Sequence, residues 1–262
     1  ALNFINIGYQ RLLSYEVAGG GFEWFGKTPA HTVLTAYGLM EFSDMSRVTE
    51  IDPALLSRTR NWLFQKQEDD GSWKPPSGGI AEGAINAYQG QVLRTTAYIA
   101  WAMAESAAAE KKPQDSRLKK AFDYIMRRVL NENDTYTLAV ASNALLAAKD
   151  PRASKVLNRL LDAKKTKDKF VSWESKGQGA THSRGNILNI ETTALAAYAL
   201  LKSKQQTDVA HKALAWLIDR KDRNGTWRST QATVHALRAL LLASGSSGSS
   251  DVDLSVAVKV NG

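Results

Sequence analysis

Asp70-Gly71-Ser72-Trp73, followed by Thr95-Thr96-Ala97-Tyr98, is a Gly-and-Trp turn leading into a Thr/Ala-rich segment, and the chain repeats it. An earlier copy is Gly20-Gly21-Phe22-Glu23-Trp24 before Leu34-Thr35-Ala36-Tyr37; a later one is Val171-Ser172-Trp173 before Glu191-Thr192-Thr193-Ala194. Asn224-Gly225-Thr226-Trp227 before Ser229-Thr230-Gln231-Ala232-Thr233 is another, and Tyr136-Thr137-Leu138-Ala139 is a degenerate copy without the Trp turn. From Thr35 to Thr233 the threonines span 198 residues in four steps. A period of roughly 50 residues marks stacked supersecondary units.

Each unit reads as a pair of helices. Ile190, Ala194, Ala197 and Leu201 fall at helical spacing, as do Val234, Leu237 and Leu241. Asp52-Pro53 and Asp150-Pro151 each offer a capping acceptor followed by a proline suited to the first helical position. Leu55, Leu56, Trp62 and Leu63 then supply one apolar stripe, and Val209, Ala213 and Trp216 another. The Ala-rich segments 96–109 and 192–201 read as buried on most sides, the others as amphipathic. About ten helices are expected and no strand before residue 250. An inner ring of small-residue helices within an amphipathic outer ring is an all-α fold, an α/α toroid. The recurring Trp24, Trp73, Trp173 and Trp227 are expected to pack each turn onto its helix pair, with each indole N–H meeting a carbonyl.

The end of the chain reads differently. Residues 244–250 are a Gly/Ser linker by composition. Beyond it Val252, Leu254, Val256, Val258 and Val260 alternate with mostly polar residues, the pattern of a half-buried strand. One strand cannot bury its face alone. The expected division is therefore a toroid over 1–243, a linker over 244–250, and over 251–262 a strand of an adjacent β-sandwich domain.

Trp62 to Trp73, with Gln67 ahead of Gly71-Ser72-Trp73, resembles the repeat motif of triterpene cyclases. A wider run of segments is similar to another family. Gly8-Tyr9-Gln10-Arg11-Leu12, the turn over 19–26, Leu34 to Met40, Ile190 to Ala194, and Arg228 to Thr233 resemble, in order, the thioester-containing domain of alpha-2-macroglobulins and complement proteins, most closely its bacterial members. The resemblance covers residues 1 to about 243. It implies a protease-trapping inhibitor, located in the periplasm, at the cell envelope or outside the cell, whose toroid holds a thioester that tethers captured protease. Its implied partners are proteases and neighbouring macroglobulin-type β-domains, with no nucleic acid and no membrane insertion. The family's Cys-x-Glu-Gln motif is absent, since the chain has no cysteine. Ten helices in place of the family's twelve imply a missing first helix pair, which would uncover Phe4, Ile5, Leu12 and Leu13. In complement members a histidine after the second Gly turn attacks the thioester. By resemblance that position is at or near Ala81, between Ile80 and Glu82, and residues 74–83 contain no histidine.

The residue types exclude much chemistry. Without cysteine there is no disulfide framework, thiolate metal site or thiol nucleophile. His31, His182, His211 and His235 lack metal-helix spacing, and no cofactor or metal is expected; His182 reads as the most exposed of the four. Asn131-Glu132-Asn133-Asp134-Thr135 has amides where a cyclase motif needs acids. Glu23, Glu82, Glu174 and Glu191 are the carboxylates a toroid glycosidase could draw on, with Glu191 read as opening its helix at the positive dipole end. No catalytic residue is assigned, and the chain is expected not to be an enzyme.

Charge is uneven. Residues 1–110 carry net −4 and 111–262 net +12, and 149–176 alone holds nine basic and four acidic side chains. Phe170 and Trp173 come only near the end of this stretch and do not alternate with its basic residues as single-strand binding requires. The stretch therefore reads as a solvated helix face and the loop after it, the alternative being a patch for an acidic partner or membrane surface.

Overall fold

The computed structural model describes residues 2–75 and 91–247. Among these are ten helices and two short two-stranded sheets. In chain order the helices are α1 (Leu2–Leu13), α2 (Thr32–Met45), α3 (Pro53–Gln65), α4 (Gln91–Ala109), α5 (Arg117–Val129), α6 (Thr135–Ala147), α7 (Ala153–Asp162), α8 (Gly185–Ser203), α9 (Thr207–Asp219) and α10 (Thr230–Ser247). The even-numbered helices pack in sequence, α2 on α4, α4 on α6, α6 on α8 and α8 on α10. Helices α3, α5, α7 and α9 each lie against the even helices before and after them in the chain. That is the toroid the repeat predicts.

Composition explains the two rings. Helix α6 is buried at every position except Leu146, and Ala139, Ala141 and Ala144 are fully buried; small residues let the inner helices approach closely. Outer helix α5 buries Leu118, Ala121, Phe122, Ile125 and Val129 on one stripe and exposes Lys119, Lys120, Arg127 and Arg128 on the other.

The repeat has a defined bonding pattern. A threonine hydroxyl in the first turns of an inner helix accepts the backbone N–H of the aromatic residue that ends the preceding turn. Trp73 donates to Thr96 Oγ1 (3.0 Å), Trp173 to Thr193 Oγ1 (3.0 Å) and Trp227 to Thr233 Oγ1 (3.1 Å). Each indole N–H caps the last turn of the outer helix before it, on the carbonyls of Leu63 (2.7 Å), Leu160 (2.6 Å) and Leu217 (2.7 Å). In the first copy it is Phe22 whose N–H reaches Thr35 Oγ1, at 2.8 Å. Trp24, placed in this series on sequence, instead stands 41% exposed. Gly71 shows why its turn needs glycine: its φ is +92°, and a Cβ there would sit 2.3 Å from the Lys120 carbonyl carbon.

Several expectations are corrected. Strands occur before residue 250: β1 (Glu16–Val17) pairs with β2 (Gly21–Phe22), and β3 (Lys165–Lys167) with β4 (Phe170–Ser172), both antiparallel. Two or three residues are too few to show period-2 alternation. Asp52 caps α3 as expected, its Oδ1 accepting from Ala54 N–H at 2.8 Å. Asp150 holds a turn through the N–H of Arg152, and α7 begins at Ala153 rather than Pro151. Helix α10 runs into the Gly/Ser segment as far as Ser247. On α1, Phe4 is 79% exposed, whereas Leu12 and Leu13 are half-buried against the core. Residues 251–262, with the expected strand, lie outside the described residues. No described helix is long and apolar enough to cross a membrane.

Candidate functional site

The inner helices start at the end of the toroid where the repeat turns and hairpins gather. There α2, α8, α10, Trp24 and residues 181–183 border an open cavity of about 420 Å³, lined by Leu34, Tyr37, His182, Ile187, Glu191 and Gln231 among others. Glu191 is 1% exposed and lies in the second turn of α8, six residues past its start at Gly185, so it does not open its helix as the sequence suggested. Ser183 Oγ donates to its Oε2 at 2.7 Å, and Ser229 Oγ lies 3.5 Å from Oε1. Burial pushes this carboxyl up to about 7, and the two hydroxyls only partly oppose that. Gly179 lets the loop reach the carboxyl: a Cβ would lie 2.3 Å from Ser183 Oγ and 3.1 Å from Glu191 Oε2.

The loop over 174–184 is pinned from several sides. Thr135 Oγ1 donates to Glu174 O (2.7 Å), Ala180 N–H to Tyr136 Oη (3.1 Å) and Ser175 N–H to Asn189 Oδ1 (3.0 Å). Arg94, buried, donates to the carbonyl of Gln178, and Ser175 Oγ to Asp134. His182 is half-buried at φ +73° with Nδ1 3.1 Å from Gln178 Nε2; burial, then Arg94 and Arg184, lower its pKa. His211, not His182, is the exposed histidine. His31 caps α2, its Nδ1 accepting from Leu34 N–H at 3.3 Å, and burial, reinforced by His182, lowers it to about 4. Tyr37 connects the cavity to Glu41 one turn further along α2, whose carboxyl burial and Asp44 push up to about 7.

Hydrolytic chemistry is not assembled here. Ser183 donates directly to the carboxyl, with no imidazole between them, and His182 is engaged by Gln178, so the nucleophile–base–orienter order is not formed. Glu23 Oε2 accepts from the backbone N–H groups of Phe25 (2.7 Å) and Lys27 (3.3 Å), and Glu174 is exposed beside Lys165; of the described candidate carboxylates only Glu191 lines the cavity. Glu82 lies outside the described residues, as do Ile80 and Ala81. Asp134, from the cyclase-like stretch, caps α6 through Thr137 N–H at 3.0 Å. Among the described residues no group of three or more His, Asp or Glu is placed to hold a metal.

A second polar cluster lies deeper between the inner helices. Glu105, 1% exposed on α4, pairs with Lys202 of α8 and accepts from Trp101 Nε1 at 3.2 Å. Arg238 of α10 pairs with Asp44 of α2 at 3.2 Å and lies 5.3 Å from the Trp101 ring, linking the two inner helices that are last and first in the chain.

This architecture, with Trp-capped helix pairs and a polar mouth at the inner-helix starts, defines an α/α-toroid domain. The family model of the A-macroglobulin TED domain matches residues 1–242, and the chain belongs to that family. It is similar to A.superbus venom factor 2 of Austrelaps superbus, 30% identical over 247 residues, 92% of this chain and 14% of the relative. Ovostatin of Gallus gallus is 28% identical over 253 residues (91% of this chain, 17% of the relative). Thioester-containing protein 1 allele R1 of Anopheles gambiae is 25% identical over 250 residues (92% and 17%). The chain thus spans 14–17% of the length of these relatives.

Proposed function

We propose that this chain is the toroidal domain of a protease-trapping alpha-2-macroglobulin, serving to tether captured protease and not acting as an enzyme itself. The observation that carries the reading is the family match along 1–242 together with the repeat bonding that reproduces the toroid. Membership of the bacterial branch rests on the order of the five resembling segments, and a periplasmic, cell-envelope or secreted location follows from the same resemblance. The division into a toroid over 1–243 and a following β-domain strand over 251–262 is part of this proposal. So is the partnership with proteases and with macroglobulin-type β-domains. None of the 262 residues is cysteine, so the thiol of a Cys-x-Glu-Gln motif is not supplied within this chain. With no histidine at or near Ala81, a thioester in the whole protein would transfer to amines and form little ester, because Glu82 would give only a labile anhydride.

The test uses the whole protein encoded by the gene, incubated with a protease and run on denaturing gels. A covalent adduct that methylamine pretreatment abolishes supports the proposal; glycerol should label the protein far less than methylamine. Absence of both adduct and methylamine incorporation overturns the tethering reading. That outcome favours the second reading, a thioester-free docking toroid, for which the missing cysteine is the supporting observation.

A further inference from the structure

The basic stretch 149–176 does not act as one face. Its hairpin β3–β4 turns toward cations from a distant part of the chain, and together they bound a groove of about 870 Å³. Val171 is buried, so its neighbours Phe170 and Ser172 face the opposite way, and Lys167 and Lys165 sit across from them on the same face. All four line the groove. The other wall is the last turn of α9, where Arg220 stacks 4.1 Å from the Trp216 ring. Ile187 and Ile190 from the first turns of α8 join Phe170 and Trp216 as an apolar strip.

The rim is cationic. Lys165 is paired with Glu174 and Arg220 with Asp219. Lys167, Lys221 and Arg228 are exposed and make no ion pair among the described residues. Asp222, also at the rim, is held mainly by its own turn, accepting from Asn224 and Thr226 N–H groups at 2.9 Å each, with the Arg228 charge a smaller influence on it. The 19-residue α8 also begins at the groove, adding the positive end of its dipole. On its outer side β3 has no strand partner among the described residues, leaving backbone donors and acceptors for an extended chain.

We infer that this groove docks an extended acidic peptide segment of a protein partner, with apolar side chains on the Phe170–Trp216 strip and carboxylates against Lys167, Lys221 and Arg228. The apolar strip selects a peptide over a polyanion, which would leave that surface wet. Glu174 and Asp219 interrupt the positive rim, which suits spaced carboxylates better than a continuous phosphate or sulfate chain. Of the two rings, Trp216 is already stacked by Arg220, which leaves too few for successive base stacking. The proposal is independent of protease tethering.

The experiment is fluorescence polarisation of the full chain with a labelled peptide of alternating Glu and Leu, beside the same peptide with Gln for Glu. The Glu peptide should bind, and the Gln peptide should bind about tenfold or more weakly. Lys167→Glu with Arg228→Glu should weaken the Glu peptide by a similar factor of about ten. Lys149→Glu with Lys155→Glu, an equal charge change in the same basic stretch but outside the groove, should leave affinity within about twofold after allowing for screening. Circular dichroism of each variant confirms its fold. Equal binding of the two peptides, or equal weakening by the two variant pairs, overturns the inference. So does binding of heparin or phosphatidylserine vesicles through Lys167 and Arg228 while the peptide fails to bind.

Discussion

Replacing threonine with valine at Thr96 changes one hydroxyl to a methyl and little else. Volume and β-branching are kept, so helix propensity and packing hold. What is lost is the acceptor for Trp73 N–H, 3.0 Å from Thr96 Oγ1 at a position that is 0% exposed. A buried donor without a partner costs about 1–3 kcal/mol, and that is the expected loss for Thr96→Val. Thr193→Val should sit at the upper end of the same range of about 1–3 kcal/mol. Its hydroxyl both accepts from Trp173 N–H at 3.0 Å and donates to Trp173 O at 3.3 Å. The protein supplies its own control in Thr59, also 0% exposed, whose hydroxyl has no partner among the described residues. Valine there removes a buried polar group that gains nothing, so Thr59→Val should be neutral or stabilising by about 1 kcal/mol. Urea unfolding followed by tryptophan fluorescence and far-ultraviolet dichroism reads these differences as midpoint shifts at constant m. The reasoning fails if Thr59→Val is as damaging as Thr96→Val, or if Thr96→Val lies within about 0.5 kcal/mol of wild type.

Glu191→Gln tests the buried carboxyl at the cavity. A folded pKa raised from 4.5 to about 7 contributes stability that is full below 4.5 and is lost as pH rises through 7. Over that window wild type should lose roughly 3 kcal/mol relative to Glu191→Gln, and parallel stability–pH curves for the two proteins would refute the assignment. Glu105→Gln should destabilise by about 1.5–3 kcal/mol, because half-buried Lys202 loses its charged partner; a loss under about 0.5 kcal/mol in urea unfolding would contradict the pairing. Burial raises the Glu105 carboxyl, but Lys202 and Arg238 outweigh it and hold it below the usual range, so wild type should lose this contribution as pH falls below that range. His235, 3% exposed with neither ring nitrogen partnered among the described residues, is lowered by burial, then Arg238, to about 3. Stability is therefore lost as pH falls from 6.5 toward 3, and His235→Leu should flatten that acid limb, as read by melting temperature at successive pH values.

The ring was legible because its determinants are local and repeated. A turn glycine, a tryptophan and a threonine at the next helix start mark each unit, and alanine-rich stretches mark the helices buried all round. Trp24 was misplaced because sequence registers the turn by the larger aromatic, while the bond that defines the unit belongs to Phe22, two residues earlier. Glu191 was read as a helix start because Asn186 and Asn189 dilute the apolar signal of the preceding turns. A signal was nonetheless present. One carboxylate three residues after Leu188 and four before Leu195, both buried, falls on the inward stripe of an otherwise apolar helix. The groove was not legible at all, since Lys167 and Arg228 are brought together only by the packing of β4 against α9.

The polar groups in the interior follow from the same small residues that build the ring. Inner helices lined with alanine fill little volume toward one another, so the larger side chains on those helices must fill the gaps. At one level these are Trp101, Tyr198 and His235, with Arg238 and Lys202 lying over the rings and paired with Asp44 and Glu105 respectively. At the mouth they are Tyr37, Gln231 and Glu191. The deep cluster is charge-balanced and joins α2, α4, α8 and α10, so it resists opening of the ring. Glu191 has two serine hydroxyls for partners, and no cation pairs with it among the described residues. A carboxyl kept in that state costs stability at neutral pH, and the deep cluster shows that this fold can supply a buried carboxylate with a cation. Among the described residues stability is given up at two places, Glu191 at the mouth and the unpartnered His235 in the deeper cluster. Of the two only Glu191 lines the cavity, which marks the mouth as the part of the toroid shaped for a task other than folding.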